Sequence, residues 1–247
     1  MTLPTVSVDL GPQVRAWFTG AAADPRPRVG RAGNLSHRRP HEPARLAADR
    51  AVGFGRDGVE PDRVHLMRQI HGATVAIVDE RTPAGAELPD ADAMVTGQPD
   101  RPLAVLAADC VPVLLAGDRH VAVIHAGRVG VRAGVVDATI DTLAAAGEDL
   151  SRLRAVIGPA IGPCCYEVGD ELATAMEEQF PGAAATTTWA TPSVDLPGVV
   201  VRTLETAGVK VDDLGACTHC SPGWFSHRRD PGAGRQAGVI VRGRDLR

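Results

Sequence analysis

A single lysine, Lys210, stands in a chain of 247 residues, so almost all of its positive charge is arginine. Arginine grips a carboxylate or phosphate with two parallel hydrogen bonds where lysine offers a point charge. The same bias is what a GC-rich gene encodes. No apolar stretch approaches the roughly 18 residues that a bilayer-spanning helix needs. The longest, around Val111–Ala116, is far shorter. The opening Met1-Thr-Leu-Pro4 lacks the basic and apolar regions of a signal peptide. Five cysteines, two of them adjacent at Cys164 and Cys165, suit no disulfide framework. These absences point to a soluble cytoplasmic protein with no membrane partner. The formal net charge of −4 leaves no global field for nucleic acid.

What the chain does have is an ordinary globular composition, 44% hydrophobic and 23% charged. Its 27 glycines and 19 prolines make it turn-rich without reaching low complexity. Strand patterns fall at 13–19, 63–69, 73–78, 93–96, 103–107, 111–115, 121–125, 153–157 and 238–241. An Ala-, Pro-, Arg- and Gly-rich stretch after the first strand, up to Asn34, reads as a loop. Helical spacing covers 42–54, 131–146, 167–180 and 195–207, with Glu42-Pro43 suiting a helix start. Residues 183–191 read as a loop. No repeat or long linker divides the chain. The expectation is one α/β (α+β) domain over 1–247, a layered sandwich of mixed β-sheets with flanking helices.

One hairpin carries the chemistry. Two apolar runs flank Gly117-Asp118, and Gly in the first central position suits a two-residue II′ turn. With that loop, Cys110 directly faces His125 on the same side of the hairpin. Pro112, two residues on, predicts an edge or irregular strand there. The pair admits three readings: a buried cysteine beside a hydrogen-bonded histidine, a thiolate nucleophile with a histidine base, or a metal site. His71, in Gln69-Ile-His71-Gly72 at the end of an apolar strand, would complete a Cys-His-His set. Three protein ligands leave a fourth position open, the pattern of a catalytic zinc.

Two further motifs stand out. Cys217-Thr-His219-Cys220 is a C-x-x-C that, with Cys164-Cys165, offers a second set of sulfurs. Adjacent cysteines point their side chains apart on most backbones, which argues against a joint site. The H-x-E…P-C-x-x-C signature of zinc nucleobase deaminases is absent. In Trp224–Arg235, the adjacent Arg228 and Arg229 and a Gly-rich turn to Arg235 could form an anion cradle; a solvated charged loop is the plain alternative.

Together these motifs resemble the laccase-domain family, also called multicopper polyphenol oxidases, peptidoglycan editing factors or purine nucleoside phosphorylases. The matching blocks are Gly33-Asn34-Leu-Ser36, Gln69-Ile-His71-Gly72, Ala91-Asp-Ala with Ala108-Asp109-Cys110-Val-Pro112 and His125-Ala-Gly127, Ile157–Gly162 with Cys165-Tyr-Glu-Val168, and Phe225–Asp230 with Gly234-Arg235. The resemblance implies a layered α/β fold and a zinc held by His71, Cys110 and His125. It also implies phosphorolysis of adenosine, inosine and methylthioadenosine, and deamination of adenosine. The older laccase name implies copper, which suits a lone Cys-His-His site less well. Substrate and phosphate would then meet Asn34, Arg50, Arg228, Arg229 and Arg235. Asp109, His227 and Glu167 are the candidate proton donors to the leaving base. A metal-free Cys110–His125 hydrolase or amidase acting in peptidoglycan precursor editing is one alternative, and a non-catalytic metal-binding module is another. The chain departs from the family at Arg128-Val129, where Trp-Arg is usual, and at His37-Arg-Arg-Pro-His41, where Gly-Asp commonly follows Asn-Leu-Ser. Asp49-Arg50, His227 and Ala233-Gly-Arg235 are further departures.

Overall fold

The computed structural model describes residues 3–22 and 31–243; the 23–30 part of the expected first loop lies outside them. In chain order the strands begin with β1 (Thr5–Val8), β2 (Val14–Thr19), β3 (Leu66–Met67), β4 (Val75–Ile77) and β5 (Glu87–Leu88). They continue with β6 (Ala93–Thr96), β7 (Leu103–Ala107), β8 (Val111–Ala116), β9 (Val121–Ala126) and β10 (Arg154–Ile157). The last are β11 (Ala184–Thr186), β12 (Pro192–Val194), β13 (Lys210–Asp213) and β14 (Gln236–Arg242). The helices are α1 (Pro43–Phe54), α2 (Arg128–Arg132), α3 (Val135–Ala145), α4 (Asp170–Gln179) and α5 (Leu196–Thr206).

Two sheets stack face to face. One is antiparallel, in the order β1-β2-β14-β7. The other is mixed, in the order β13-β10-β8-β9-β6-β4, with its outermost pairs parallel. Residues alternate between faces along a strand. On β8 and β9, Val113, Leu115, Ala122 and Ile124 therefore pack against α3 and α5, while Leu114, Val121 and Val123 meet Phe18, Val105 and Ile240 of the other sheet. Beyond the four-stranded sheet, Leu35 and Phe54 cover Trp17, Ala104 and Val239. The result is the expected layered sandwich, with helices on both outer faces.

Local differences have local causes. The expected helix 131–146 is two helices, because Gly134 takes a φ of 85° between α2 and α3. The expected loop 183–191 contains β11, which pairs with β12 in a small hairpin. β1 and β13, each four residues long, are edge strands that the sequence reading did not expect: the Thr-Val-Ser-Val alternation of β1 is too brief to stand out, and β13 is mostly charged. The strand expected at 63–69 shrinks to β3 behind a 3-10 turn at Pro61–Arg63.

The central hairpin differs in register. Its loop is 117–120, four residues rather than two, and Pro112 rather than Cys110 lies opposite His125. The offset is two residues, so every side chain keeps its face. Cys110 sits diagonally from His125, still toward the space between the sheets. Nor is β8 an edge strand: it is paired on both sides, by β9 and β10. Pro112 is tolerated because the β10 ladder ends at Ile157↔Val113, and beyond it only the Pro112 carbonyl is needed, accepting from Gly158 N at 2.9 Å.

Candidate metal centre

The centre forms where the chain crosses from one sheet to the other. Residues 108–110 link β7 of the antiparallel sheet to β8 of the mixed one, and Cys110 is the last of them. Asp109 there takes a φ of 94°, costly for a residue with a Cβ. Three bonds hold it: Ile161 N donates to its carbonyl at 2.9 Å, Thr218 Oγ1 to Oδ1 at 2.6 Å, and Arg228 N to Oδ2 at 2.6 Å. Both carboxylate oxygens are thus committed to positioning.

His71 arrives on a loop that is fixed just as firmly. Gln69 pairs with β7 through its side chain, donating to Leu106 O at 2.7 Å and accepting from Leu106 N at 3.0 Å. His71 itself has a φ of 61°. The fully buried carboxylate of Asp92 gathers the turn, accepting from Ile70 N (3.2 Å), His71 N (2.9 Å) and Gly72 N (2.7 Å). The same carboxylate accepts from His125 Nδ1 at 2.8 Å. That bond sets the tautomer and leaves the Nε2 lone pair for a metal, the usual carboxylate–histidine–metal relay.

The donor atoms of His71, Cys110 and His125 all lie within 4.8 Å of one another. Cys110 Sγ is 3.7 Å from His71 Nε2, and the two imidazoles meet edge-on at 4.8 Å. Two tetrahedral ligands on one ion, sulfur at about 2.3 Å and nitrogen at about 2.0–2.1 Å, stand about 3.6 Å apart, so the set fits a metal with little movement. Close approach depends on Gly127: a Cβ there would fall 2.7 Å from His71 Cδ2 and 3.0 Å from Cys110 Sγ. The electrostatics favour the thiolate, while a metal at His125 has to displace the ring's second proton. Burial pushes the Cys110 thiol up, but His125 and His71 outweigh it and bring it down to about 6. Burial works against charge on His125, yet Cys110 and Asp92 raise it to about 9.

The three ligands open into a cleft of about 370 Å³. His37, Arg38, Arg39, His227 and Arg235 crowd one side, and Met67 and Leu106 give it an apolar strip. Arg38 forks onto Glu87 at 2.9 and 3.3 Å. Arg39 donates to the carbonyls of Ala233 (3.1 Å) and Pro231, and Arg235 to those of Ala233 (2.9 Å) and Gly234 (3.0 Å). Desolvation lowers the Arg235 pKa to about 10.

The other residues singled out from the sequence lie around this cleft rather than in it. Asn34 is buried; its Oδ1 accepts from Ser36 N (3.1 Å) and Arg235 N (3.0 Å), so it shapes the Arg235 turn and faces a neighbouring cavity. Arg50 donates to Leu35 O at 3.0 Å and lies over Phe54. Arg228 donates to Glu167 O at 2.8 Å and lies over Tyr166. Arg229 ties together the carbonyls of Thr218, His219, Ser221 and Trp224, at 2.6–3.3 Å. Glu167 accepts from Trp189 Nε1 at 3.0 Å. The reading of the sequence missed Asp92, Gln69, Gly127, Arg38 and Arg39 as parts of the site. Gln69, Asp92 and Gly127 stood in the matching blocks without a role assigned to them, and Asp92, a carboxylate opening an apolar strand, was the clearest signal of one.

Among the described residues no helix is long and apolar enough to cross a membrane. The sequence matches, over residues 19–243, the family described as multi-copper polyphenol oxidoreductase laccase. A Streptomyces griseus protein named purine nucleoside phosphorylase is 42% identical over 202 residues, 81% of this chain and 82% of that one. A Mycobacterium tuberculosis protein of the same name is 39% identical over 210 residues, 84% of this chain and 83% of that one. The hypothetical protein YfiH of Bacillus licheniformis has a similar structure, with a TM-score of 0.82 at 26% identity over 93% of this chain and 92% of that one. YlmD of Geobacillus stearothermophilus gives a TM-score of 0.82 at 25% identity, over 94% of this chain and 93% of that one. With nearly its whole length matched and a compatible ligand set at the mouth of its two sheets, the chain belongs to the multi-copper polyphenol oxidoreductase laccase family.

Proposed function

We propose that this chain is a zinc-dependent purine nucleoside phosphorylase, acting as one catalytic domain. It splits adenosine, inosine or methylthioadenosine into the free base and the corresponding ribose 1-phosphate, and it deaminates adenosine to inosine at the same site. The observation that carries this reading is one cleft of about 370 Å³ that joins a three-ligand metal set to arginines. Relatives named purine nucleoside phosphorylase support it.

His71, Cys110 and His125 would hold the zinc, which would supply Lewis acidity. A lone Cys-His-His set suits zinc, whereas copper oxidases need several metals and more histidines. The remaining work falls to the chain. Asp92 fixes His125 and the His71 turn. Arg235, desolvated and beside Arg39, gains from an anion and takes the phosphate end. Met67 and Leu106 take the purine face. His227 holds the proton for the leaving base, because Asp109 is fully bonded and Glu167 is turned to Trp189.

Metal-replete protein incubated with adenosine should give adenine only when phosphate is present, and inosine with or without it. Cys110→Ala should lose its metal and both products. Full turnover by Cys110→Ala, or no product from folded, zinc-loaded protein, would sink the proposal; the latter would favour a non-catalytic metal-binding module and direct attention to Arg128-Val129 on α2.

A second reading is favoured by one observation, the Cys110 thiol near 6 beside a histidine near 9, the charge pattern of a thiolate nucleophile. That metal-free hydrolase would be alkylated at once at Cys110. The zinc enzyme should resist alkylation until a chelator is added.

A further inference from the structure

The sulfur cluster set aside on sequence grounds assembles in the structure. The Sγ atoms of Cys164, Cys165, Cys217 and Cys220 all lie within 4.8 Å of one another, and all four cysteines are free. Adjacent cysteines share the site because they stand on a tight turn. Cys165 N and Tyr166 N both donate to Gly162 O at 3.0 Å. In such a helical turn successive side chains are about 100° apart, not opposed as on a strand. The second pair comes from a loop joined to the first by the Ala160↔Cys217 bridge.

We infer that Cys164, Cys165, Cys217 and Cys220 form a second metal site, a closed tetrathiolate that holds a structural zinc ion. In a tetrahedral ZnS₄ unit with Zn–S of about 2.3 Å, neighbouring sulfurs are about 3.8 Å apart. Here Cys164 Sγ and Cys220 Sγ are 3.6 Å apart, and Cys165 Sγ and Cys220 Sγ are 3.1 Å apart. Both separations are far beyond the roughly 2.0 Å of a disulfide. The first cysteine of the C-x-x-C is also dressed as a ligand. Gly162 N donates to Cys217 Sγ at 3.3 Å, and the amides of His219 and Cys220 turn to the same sulfur. Backbone N–H groups aimed at one sulfur stabilise its thiolate, the form that binds metal. Binding displaces four thiol protons and leaves a doubly negative unit. The Arg229 guanidinium, bonded to the carbonyls of Thr218 and His219, puts a positive charge behind the loop. Cys220 is exposed and Cys164 half-buried, so an ion can reach the cluster from solvent. With four protein ligands no position is left for substrate, so the role is structural.

What the ion would stabilise is specific. The loop of Cys217 and Cys220 carries Thr218, whose hydroxyl holds Asp109, the neighbour of Cys110. The turn of Cys164 and Cys165 leads to Tyr166 and Glu167, which seat Arg228.

The test counts metal by elemental analysis in native protein purified with zinc in the medium. Two ions per chain are expected in the wild type, one in Cys110→Ser and one in Cys164→Ser/Cys220→Ser. Cobalt loaded into Cys110→Ser should show an intense thiolate charge-transfer band and tetrahedral d–d bands, and this readout does not require the cluster variant to fold. A Cys110→Ser protein without metal would overturn the inference, as would cluster thiols that react equally fast with and without chelator, or a mass showing a disulfide. The outcome is separable from that of the proposed function. A wild type holding one ion that Cys110→Ser keeps would sustain the cluster and remove the zinc from the catalytic reading.

Discussion

At the scale of single residues, one carboxylate and one missing side chain govern the geometry of His71, Cys110 and His125. Asp92 alone satisfies His125 Nδ1 and three backbone amides. Replacing it with alanine should leave the His71 turn unheld and weaken metal binding by about 10–100-fold, measured by competition with a chromophoric chelator. An unchanged affinity would mean that the relay is idle. Gly127 is a separate case. Its φ of −76° suits any residue, so Gly127→Ala acts only through the methyl that would press on His71 and Cys110. Metal content should fall sharply while the apo protein keeps its Tm; full occupancy would refute the packing argument. The trio was legible because cysteine and histidine are rare and chemically distinctive. Arg38 and Arg39 were not, since in this chain an arginine pair carries no signal by itself.

Among the elements, the β8–β9 hairpin shows why sequence counting worked for a partly mistaken reason. Its turn is two residues longer than the Gly-Asp signal implied, yet an even error leaves the pleat unchanged, and Cys110 and His125 stay on one face. An odd error would have parted them. The four cysteines were misjudged for the converse reason, since the turn that unites Cys164 and Cys165 is invisible to a strand-based picture. Packing between the sheets depends on contacts that no pattern announces. The Phe18 ring lies where a Cβ on Gly158 would overlap it, and a Cβ on Gly238 would fall 2.7 Å from it. Gly158→Ala should therefore destabilise by overpacking, by about 1–3 kcal/mol, read as a lower urea midpoint with an unchanged slope. A neutral result would show that Phe18 can swing aside.

For the whole molecule, acid sensitivity follows from one core histidine. His65 is fully buried with neither ring nitrogen bonded, and desolvation lowers its pKa to about 4. The folded state thus binds fewer protons than the unfolded chain, whose histidine titrates near 6.5. This contribution is fully present well above pH 6.5 and is lost as the pH drops through 6.5 toward 4, by roughly 3–3.5 kcal/mol in all. Urea midpoints at pH 7.5 and 5 should converge for His65→Leu and diverge for the wild type; equal slopes would assign acid loss to other groups. The layered architecture was readable from the spacing of apolar residues, and the stacking of its two sheets follows from strands buried on both faces.

That stacking divides the site between two separate supports. His71, Asp92, Cys110 and His125 hang from the mixed sheet and its connections, whereas Arg235 leads into β14 of the antiparallel sheet and Arg38 and Arg39 precede α1. Most of the departures from the usual family pattern, at 37–41, 227 and 233, fall on the arginine side, and His71, Cys110 and His125 are untouched. Substitutions at 37–41 and 233 can therefore reshape the arginine wall of the cleft without moving the elements that carry His71, Cys110 and His125.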